Sequence, residues 1–288
     1  MTGHKITGIL ESQLEDISIV NLTTYFKTTA HALEGEVVLT PRPYLGMSQL
    51  GHECPRYLWY QFRWAFVDTT SKRMTRLWAR GHREEPEIIK ELEKIGIQVW
   101  GDQTEMIAGH GHIKGHNDGI CKGVIEAPKT EHLAEFKTVK DSGFKELQKK
   151  RLEKYSPTYW GQCQLYMHYL KLTRTLFIAV NKNDDSYYIE RVKYDAGQAK
   201  DLIRKGESII LAETPPARAF PSKTFFKCRW CSAKAQCWDD KPYQKNCRTC
   251  TSSGLCLDGE WNCEYHHKAL PVDSQRSGCD QHIGIEND

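Results

Sequence analysis

Hydrophobic and polar positions along residues 97–212 change period several times, and the changes predict alternating strands and helices. Short apolar runs with two-residue alternation cover 97–100, 112–121, 132–139, 175–182 and 187–194, and Asn183-Asp184-Asp185 supplies a turn between the last two. Helical spacing covers 157–170, opening at Ser156-Pro157, and again 196–212. Upstream, 53–66 is rich in aromatics at helical spacing with Pro55 in its first turn, and a second helix is expected over 72–95. The order strand, strand, strand, helix, strand, strand implies an α/β layer arrangement. There is no internal repeat.

Three segments follow from the punctuation. Residues 1–47 carry no readable motif, and Thr40-Pro41-Arg42-Pro43 marks a break after this accessory lead. The body runs over 48–245. After Pro215-Pro216 the chain turns into short, cysteine-laden pieces, and 246–288 is expected to form a small metal-stabilised tail.

The most informative run is Leu133-Ala134-Glu135-Phe136-Lys137-Thr138-Val139. In a strand, Leu133, Glu135, Lys137 and Val139 share one face and Ala134, Phe136 and Thr138 the other. A carboxylate and an ammonium are thus held side by side. Asp118, in Gly115-His116-Asn117-Asp118-Gly119, is placed to bring a second carboxylate across a hairpin. Two carboxylates bind a divalent ion, and a lysine beside them polarises a water for attack on phosphorus. Alone the triplet is weak, since surface strands often pair Glu with Lys, but its neighbours strengthen it. Gln162 and Tyr166 lie four apart on one helical face that can reach a strand of DNA laid over the carboxylates. Arg80-Gly81-His82-Arg83-Glu84-Glu85 offers an imidazole and a carboxylate to complete a ligand set.

Charge adds a local rather than a global signal. The 288 residues carry a formal charge of only +3, and 39% hydrophobic content supports a substantial core. The basic footprint lies at 137–154, where Lys137, Lys140, Lys145, Lys149, Lys150, Arg151 and Lys154 face Asp141, Glu146 and Glu153, in a stretch readable as a basic helix or loop. With Phe144, Tyr155, Tyr159 and Trp160 interleaved, it suits a phosphate backbone with exposed bases, and Lys149 and Lys150 are taken as DNA contacts. No apolar stretch is long enough to span a membrane and no signal-peptide layout opens the chain, so a cytoplasmic protein is expected. No phosphate-binding Gly-x4-Gly-Lys-Ser/Thr loop is present, which excludes an ATP-driven helicase and a nucleotide cofactor of that kind.

Eleven cysteines in a reducing compartment argue for metal ligands. Cys228, Cys231 and Cys237 leave a site one ligand short, and Cys54 is the candidate fourth; four thiolates suit an iron–sulfur cubane, with zinc at the same thiols as the alternative. Cys247, Cys250, Cys263 and His266 have zinc-ribbon spacing, with Cys256, His267, Cys279 and His282 as rivals. Zinc binding releases roughly 10–16 kcal/mol, enough to fold a short tail with little core. Cys121 and Cys163 read as packing residues, and nucleophilic catalysis by Cys163 near His168 is disfavoured.

Taken in order, Cys54 in C-P-R-x-L-W-Y, Gly81-His82, Asp118-Gly119, Glu135-x-Lys137, Gln162-x3-Tyr166 and C-x2-C-x5-C resemble the RecB-type branch of the PD-(D/E)XK nuclease superfamily. The similarity is greatest to the iron–sulfur exonucleases typified by CRISPR-associated RecB-like and AddB-type nucleases and their phage-encoded relatives. The resemblance implies a restriction-endonuclease-like α/β core, a mixed central sheet flanked by helices, and a DNA exonuclease using Mg or Mn with a structural 4Fe–4S cluster. It implies metal ligation by Asp118 and Glu135, an additional ligand in His82, a catalytic lysine in Lys137 and a DNA-facing pair in Gln162 and Tyr166. Relatives often carry an apolar residue where Asn117 stands, and Glu85 competes with His82, which is favoured. The tail lies outside the resemblance. Recombination or DNA processing is the expected setting, with a recombination or single-strand-binding protein as a conceivable partner. The rival reading is a non-catalytic DNA-binding or assembly subunit, disfavoured because every catalytic position is filled.

Overall fold

The computed structural model describes Thr29 and residues 32–286, so most of the expected lead at 1–47 lies outside the described residues. The chain divides into two compact units, residues 1–39 with 69–79, and residues 40–68 with 80–288. In the first, β1 (Glu36–Val38) pairs antiparallel with β3 (Thr69–Ser71), and the Lys72 amide donates to Gly35 O at 2.9 Å.

The second unit holds the remaining elements. In chain order these are β2 (Leu45–Gly46), α1 (Pro55–Phe62), the later turns of α2 (Lys72–Lys94), β4 (Gln98–Trp100), β5 (Glu105–Ala108), β6 (Ile113–His116), β7 (Gly119–Lys122) and β8 (His132–Val139). Then come α3 (Asp141–Tyr155), α4 (Pro157–Leu170), β9 (Arg174–Asn181), β10 (Tyr187–Lys193) and α5 (Ala196–Leu211). Short helices α6 (Phe226–Arg229) and α7 (Lys234–Trp238) precede β11 (Ser253–Leu255), β12 (Trp261–Cys263), β13 (Lys268–Ala269) and α8 (Val272–Gln275).

A five-stranded mixed sheet in the order β10-β9-β8-β7-β4 forms the centre, with β8 parallel to β9 and antiparallel to β7. Side-chain alternation along β8 and β9 divides the core. Leu133, Val139, Phe177 and Ala179 join Phe144, Leu147, Cys163 and Leu165 on the α3 and α4 side, whereas Ala134, Phe136, Leu176, Ile178 and Val180 pack with Ile88, Leu92 and Cys121 on the other. The two-face expectation for 132–139 therefore holds residue by residue. Helix α4 begins where its sequence says: Ser156 Oγ accepts from the Tyr159 amide at 3.3 Å, and Pro157 occupies the first turn.

One expected strand is two. The run 112–121 breaks at Asn117-Asp118, so that β6 joins β2 and β5 in a separate three-stranded sheet while β7 enters the central one. Asn117 causes the break. Fully buried, it accepts from the Thr104 amide through Oδ1 at 2.9 Å and donates through Nδ2 to Gly101 O at 3.0 Å, while its own carbonyl accepts from the Gln103 amide at 2.9 Å. These bonds replace ladder partners and turn the chain from one sheet into the other.

Residues 246–286 share the second unit with the central sheet instead of forming a unit of their own, and β11, β12 and β13 make a small antiparallel sheet there. Arg248 is the main tie. Its side chain is fully buried and donates to Phe62 O (3.0 Å), Pro43 O (2.8 Å) and Gln275 Oε1 (2.7 Å). The guanidinium also lies 4.0 Å from the Trp64 ring centroid and 4.9 Å from that of Trp261. Burial, with Arg63 and Arg276 nearby, pulls its pKa down to about 9, which leaves it charged at neutral pH.

Candidate active site

β7, β8, α2 and α4 converge on a group of ionisable side chains. Asp118 sits at the sheet-to-sheet break, and its Oδ2 accepts from the Phe136 amide at 2.8 Å, which fixes the carboxylate beside β8. Glu135 is completely buried. One of its oxygens, Oε1, accepts from Lys137 Nζ and from Gln162 Nε2 at 2.7 Å; the other, Oε2, is buried without a hydrogen-bond partner. Lys137 Nζ also lies 3.9 Å from Asp118 Oδ2, so its ammonium stands between the two carboxylates. The Tyr159 ring closes over this ammonium, centroid to Nζ 5.5 Å.

The electrostatics follow from one cation serving several anions in a dry place. Burial, then the Asp118 charge, pushes the Glu135 carboxyl up to about 8 against the opposing effect of Lys137. Burial alone would lower the Lys137 pKa, but Glu135 and Asp118 outweigh it and raise it, so the ammonium stays charged. Glu85 belongs to the same group: burial and the Asp118 charge raise it, and His82 and Lys137 oppose.

Because the folded-state value of Glu135 lies above the ordinary 4.5, its contribution to stability is fully present below about pH 4.5 and is lost as the pH climbs to about 8. Metal-free Glu135→Gln protein should therefore gain on wild type by about 3–4 kcal/mol between roughly pH 5 and pH 9, the unmet amide NH2 being a pH-independent cost that cancels from this difference. Denaturant melts in EDTA at the two pH values measure this, and parallel pH dependences of the two proteins would contradict it.

His82 and Glu85 part company here. The His82 side chain is 80% exposed and meets the group only through Glu85, its Nδ1 being 3.4 Å from Glu85 Oε1. Gln162 and Tyr166 do share a helical face, but it is buried: Gln162 holds Glu135, and Tyr166 packs against Gly115, where an added Cβ would approach its ring to 2.7 Å. Lys149 and Lys150 lie exposed on α3, Lys150 paired with Glu146 at 2.5 Å. Tyr159, which the sequence suggests only as one of the aromatics of the basic stretch, lies one turn before Gln162, and the i, i+3 spacing is the signal that places both on the site.

No protein-family model matches the chain, and no curated protein matches it. Among solved structures it is similar to the crystal structure of SSO0001, at 16% identity and TM-score 0.41 over 69% of this chain and 87% of that one. It is also similar to the alkaline exonuclease LHK-Exo from Laribacter hongkongensis, at 15% identity and TM-score 0.41 over 59% and 87%. The same exonuclease in complex with dAMP gives 14% identity and TM-score 0.41 over 58% and 86%.

The cysteines fall into two groups. Cys54, Cys228, Cys231 and Cys237 line one cavity of about 550 Å³. Burial, then the neighbouring thiols Cys54, Cys237 and Cys228, pushes Cys231 up to about 11. In the tail, Cys247 lies within electrostatic reach of Cys279, Cys250 and Cys263, which with burial raise its pKa. His266 and His267 are exposed, and the His266 amide donates to Cys263 Sγ at 3.4 Å. Cys256 stands apart, its carbonyl 2.7 Å from His112 Nε2, and His282 Nε2 lies 3.3 Å from Thr249 Oγ1. Among the described residues no three His, Cys, Asp or Glu side chains form a group that could hold a metal ion as they stand. At the carboxylates the reason is visible, since Lys137 occupies the space between them.

Proposed function

We propose that this protein is a DNA nuclease of the PD-(D/E)XK type that hydrolyses phosphodiester bonds with Mg or Mn, acting as an exonuclease in phage or bacterial DNA processing. The observation that carries the reading is Glu135 Oε2, a buried carboxylate oxygen without a partner, in a cluster where three carboxylates share one ammonium. An excess of hard oxygen donors in a dry site fits a divalent cation of that kind. Asp118, Glu135 and Glu85 would hold the ion, with His82 supporting Glu85 from solvent. Such an ion, when held there, would supply Lewis-acid chemistry for water attack and a counter-charge for the scissile phosphate.

The chain's own groups do the rest. The Phe136 amide orients the Asp118 carboxylate, and Gln162 fixes the Glu135 carboxylate. Lys137, whose ammonium lies beside both carboxylates, would direct the attacking water and shield charge as it develops on the phosphate. Lys149 and Lys150 hold the DNA backbone. Purified protein should degrade end-labelled linear DNA with Mn and stop on addition of EDTA; intact substrate with Mn would refute the reading.

The cysteine groups support two further metals. A cavity lined by four thiols, with Arg56 and Lys227 on its wall, suits an iron–sulfur cluster whose net charge is negative. In the tail, a zinc site with the expected Cys247, Cys250 and Cys263 is completed more readily by Cys279 than by the exposed His266. Anaerobically purified protein should absorb visible light, and Cys54→Ser should remove that absorbance; colourless protein containing zinc alone would favour zinc at both groups.

A further inference from the structure

The segment that carries the three clustered cysteines also carries aromatic rings that the active site does not use. Trp230 is 88% exposed and Phe226 65% exposed, although neither residue type is usually left bare in water. Phe220 and Phe225 stack behind them with centroids 4.8 Å apart, and Lys227 Nζ lies 5.7 Å from the Phe220 ring and 5.6 Å from the Phe226 ring. Arg218 covers Trp238 at 4.7 Å. Between residues 218 and 241 there are six cations and two acids. Lys223 is paired with Asp239 and Lys227 with Glu53; an apolar protein partner would match the rings and leave the remaining excess of cations unmet, whereas a polyanion with flat apolar faces would match both.

The ridge also leads toward the carboxylates. Trp230 and Lys227 line the same cavity as Thr158, and Thr158 precedes Tyr159, whose ring covers Lys137. We propose that residues 220–238 form a base-stacking platform for single-stranded DNA, with Trp230 and Phe226 taking the bases and Arg229 and Lys234 facing the backbone. The choice of DNA among polyanions rests on the nuclease reading above. Single strands are specified because paired bases keep their faces inside the duplex, whereas an unpaired base presents a face to an indole.

The test is equilibrium binding of labelled oligo-dT and of a blunt duplex in EDTA, where nothing is cleaved. Replacing both rings, Trp230→Ala with Phe226→Ala, should weaken oligo-dT binding by at least about tenfold, given that stacking is worth ~1–3 kcal/mol per base. Duplex affinity should change less than about twofold, and Trp230→Tyr should keep most of the oligo-dT affinity, because a phenol also stacks. Unchanged oligo-dT affinity in the double variant, an equal loss for both substrates, a Tyr variant as weak as Ala, or wild-type protein that does not bind oligo-dT would each overturn the platform. Wild-type protein that binds oligo-dT yet leaves both it and the duplex intact with Mn would overturn the nuclease reading while the platform stands.

Discussion

Lys137→Ala should reduce single-turnover DNA cleavage in Mn by about a thousandfold, within the range expected when a positioned charge or proton-transfer group is removed. The ammonium contacts Glu135 Oε1, approaches Asp118 Oδ2 and lies under Tyr159, and among the described residues no other cation pairs with these two carboxylates. DNA affinity measured in Ca should move only a few fold, since one phosphate-facing cation among several changes the salt slope by about one unit. Loss of cleavage with binding retained places Lys137 in the chemical step. Undiminished cleavage would remove it from the site.

Arg248→Ala should destabilise the unit containing the central sheet, and not the tail alone, by at least about 4 kcal/mol. The substitution strips donors from Phe62 O, Pro43 O and Gln275 Oε1, each a buried or half-buried acceptor, and opens a void among the Phe62, Trp64 and Trp261 rings. Each orphaned acceptor costs about 1–3 kcal/mol and the void adds to that. Arg248→Lys should rescue little, because one ammonium cannot serve acceptors arranged for a planar fork. Against a total stability of typically 5–15 kcal/mol such a loss is severe. Hydrogen exchange would show it: β8 and β9 amides should lose protection together with those of β12. Loss confined to residues 246–286 would make the tail an independent module.

The features that were legible in the sequence are those governed by local period. Two-residue alternation gave 132–139 its bounds and its two faces, and Ser156-Pro157 gave the start of α4, because a strand face and a helix cap are set by neighbours in the chain. The Asp118 hairpin was legible for the same reason. The break at Asn117 was not, since it depends on an amide finding Gly101 and Thr104 in a loop with no pattern of its own. Helix α3 reads from sequence as either helix or loop, because Phe144, Leu147 and Leu152 mark its inner face only sparsely among many cations. His82 and Glu85 lie three apart on one helix, and spacing does not say which side chain turns inward; burial does. Likewise, ribbon spacing pairs Cys263 with His266, while the fold brings Cys279 toward Cys247.

The bonds from Arg248 to Pro43 and Phe62 also set a schedule during synthesis. Translation delivers α1 and the central strands early, but the acceptors that hold α1 in place wait for a guanidinium made much later, as does the wall of thiols opposite Cys54. Contacts separated so widely along the chain close last and slowly. A ribosome-bound chain ending before residue 248 therefore carries Asp118, Glu135 and Lys137 without the frame that fixes α1, and a cell making this protein gains an interval in which the residues of the proposed site exist but the finished molecule does not.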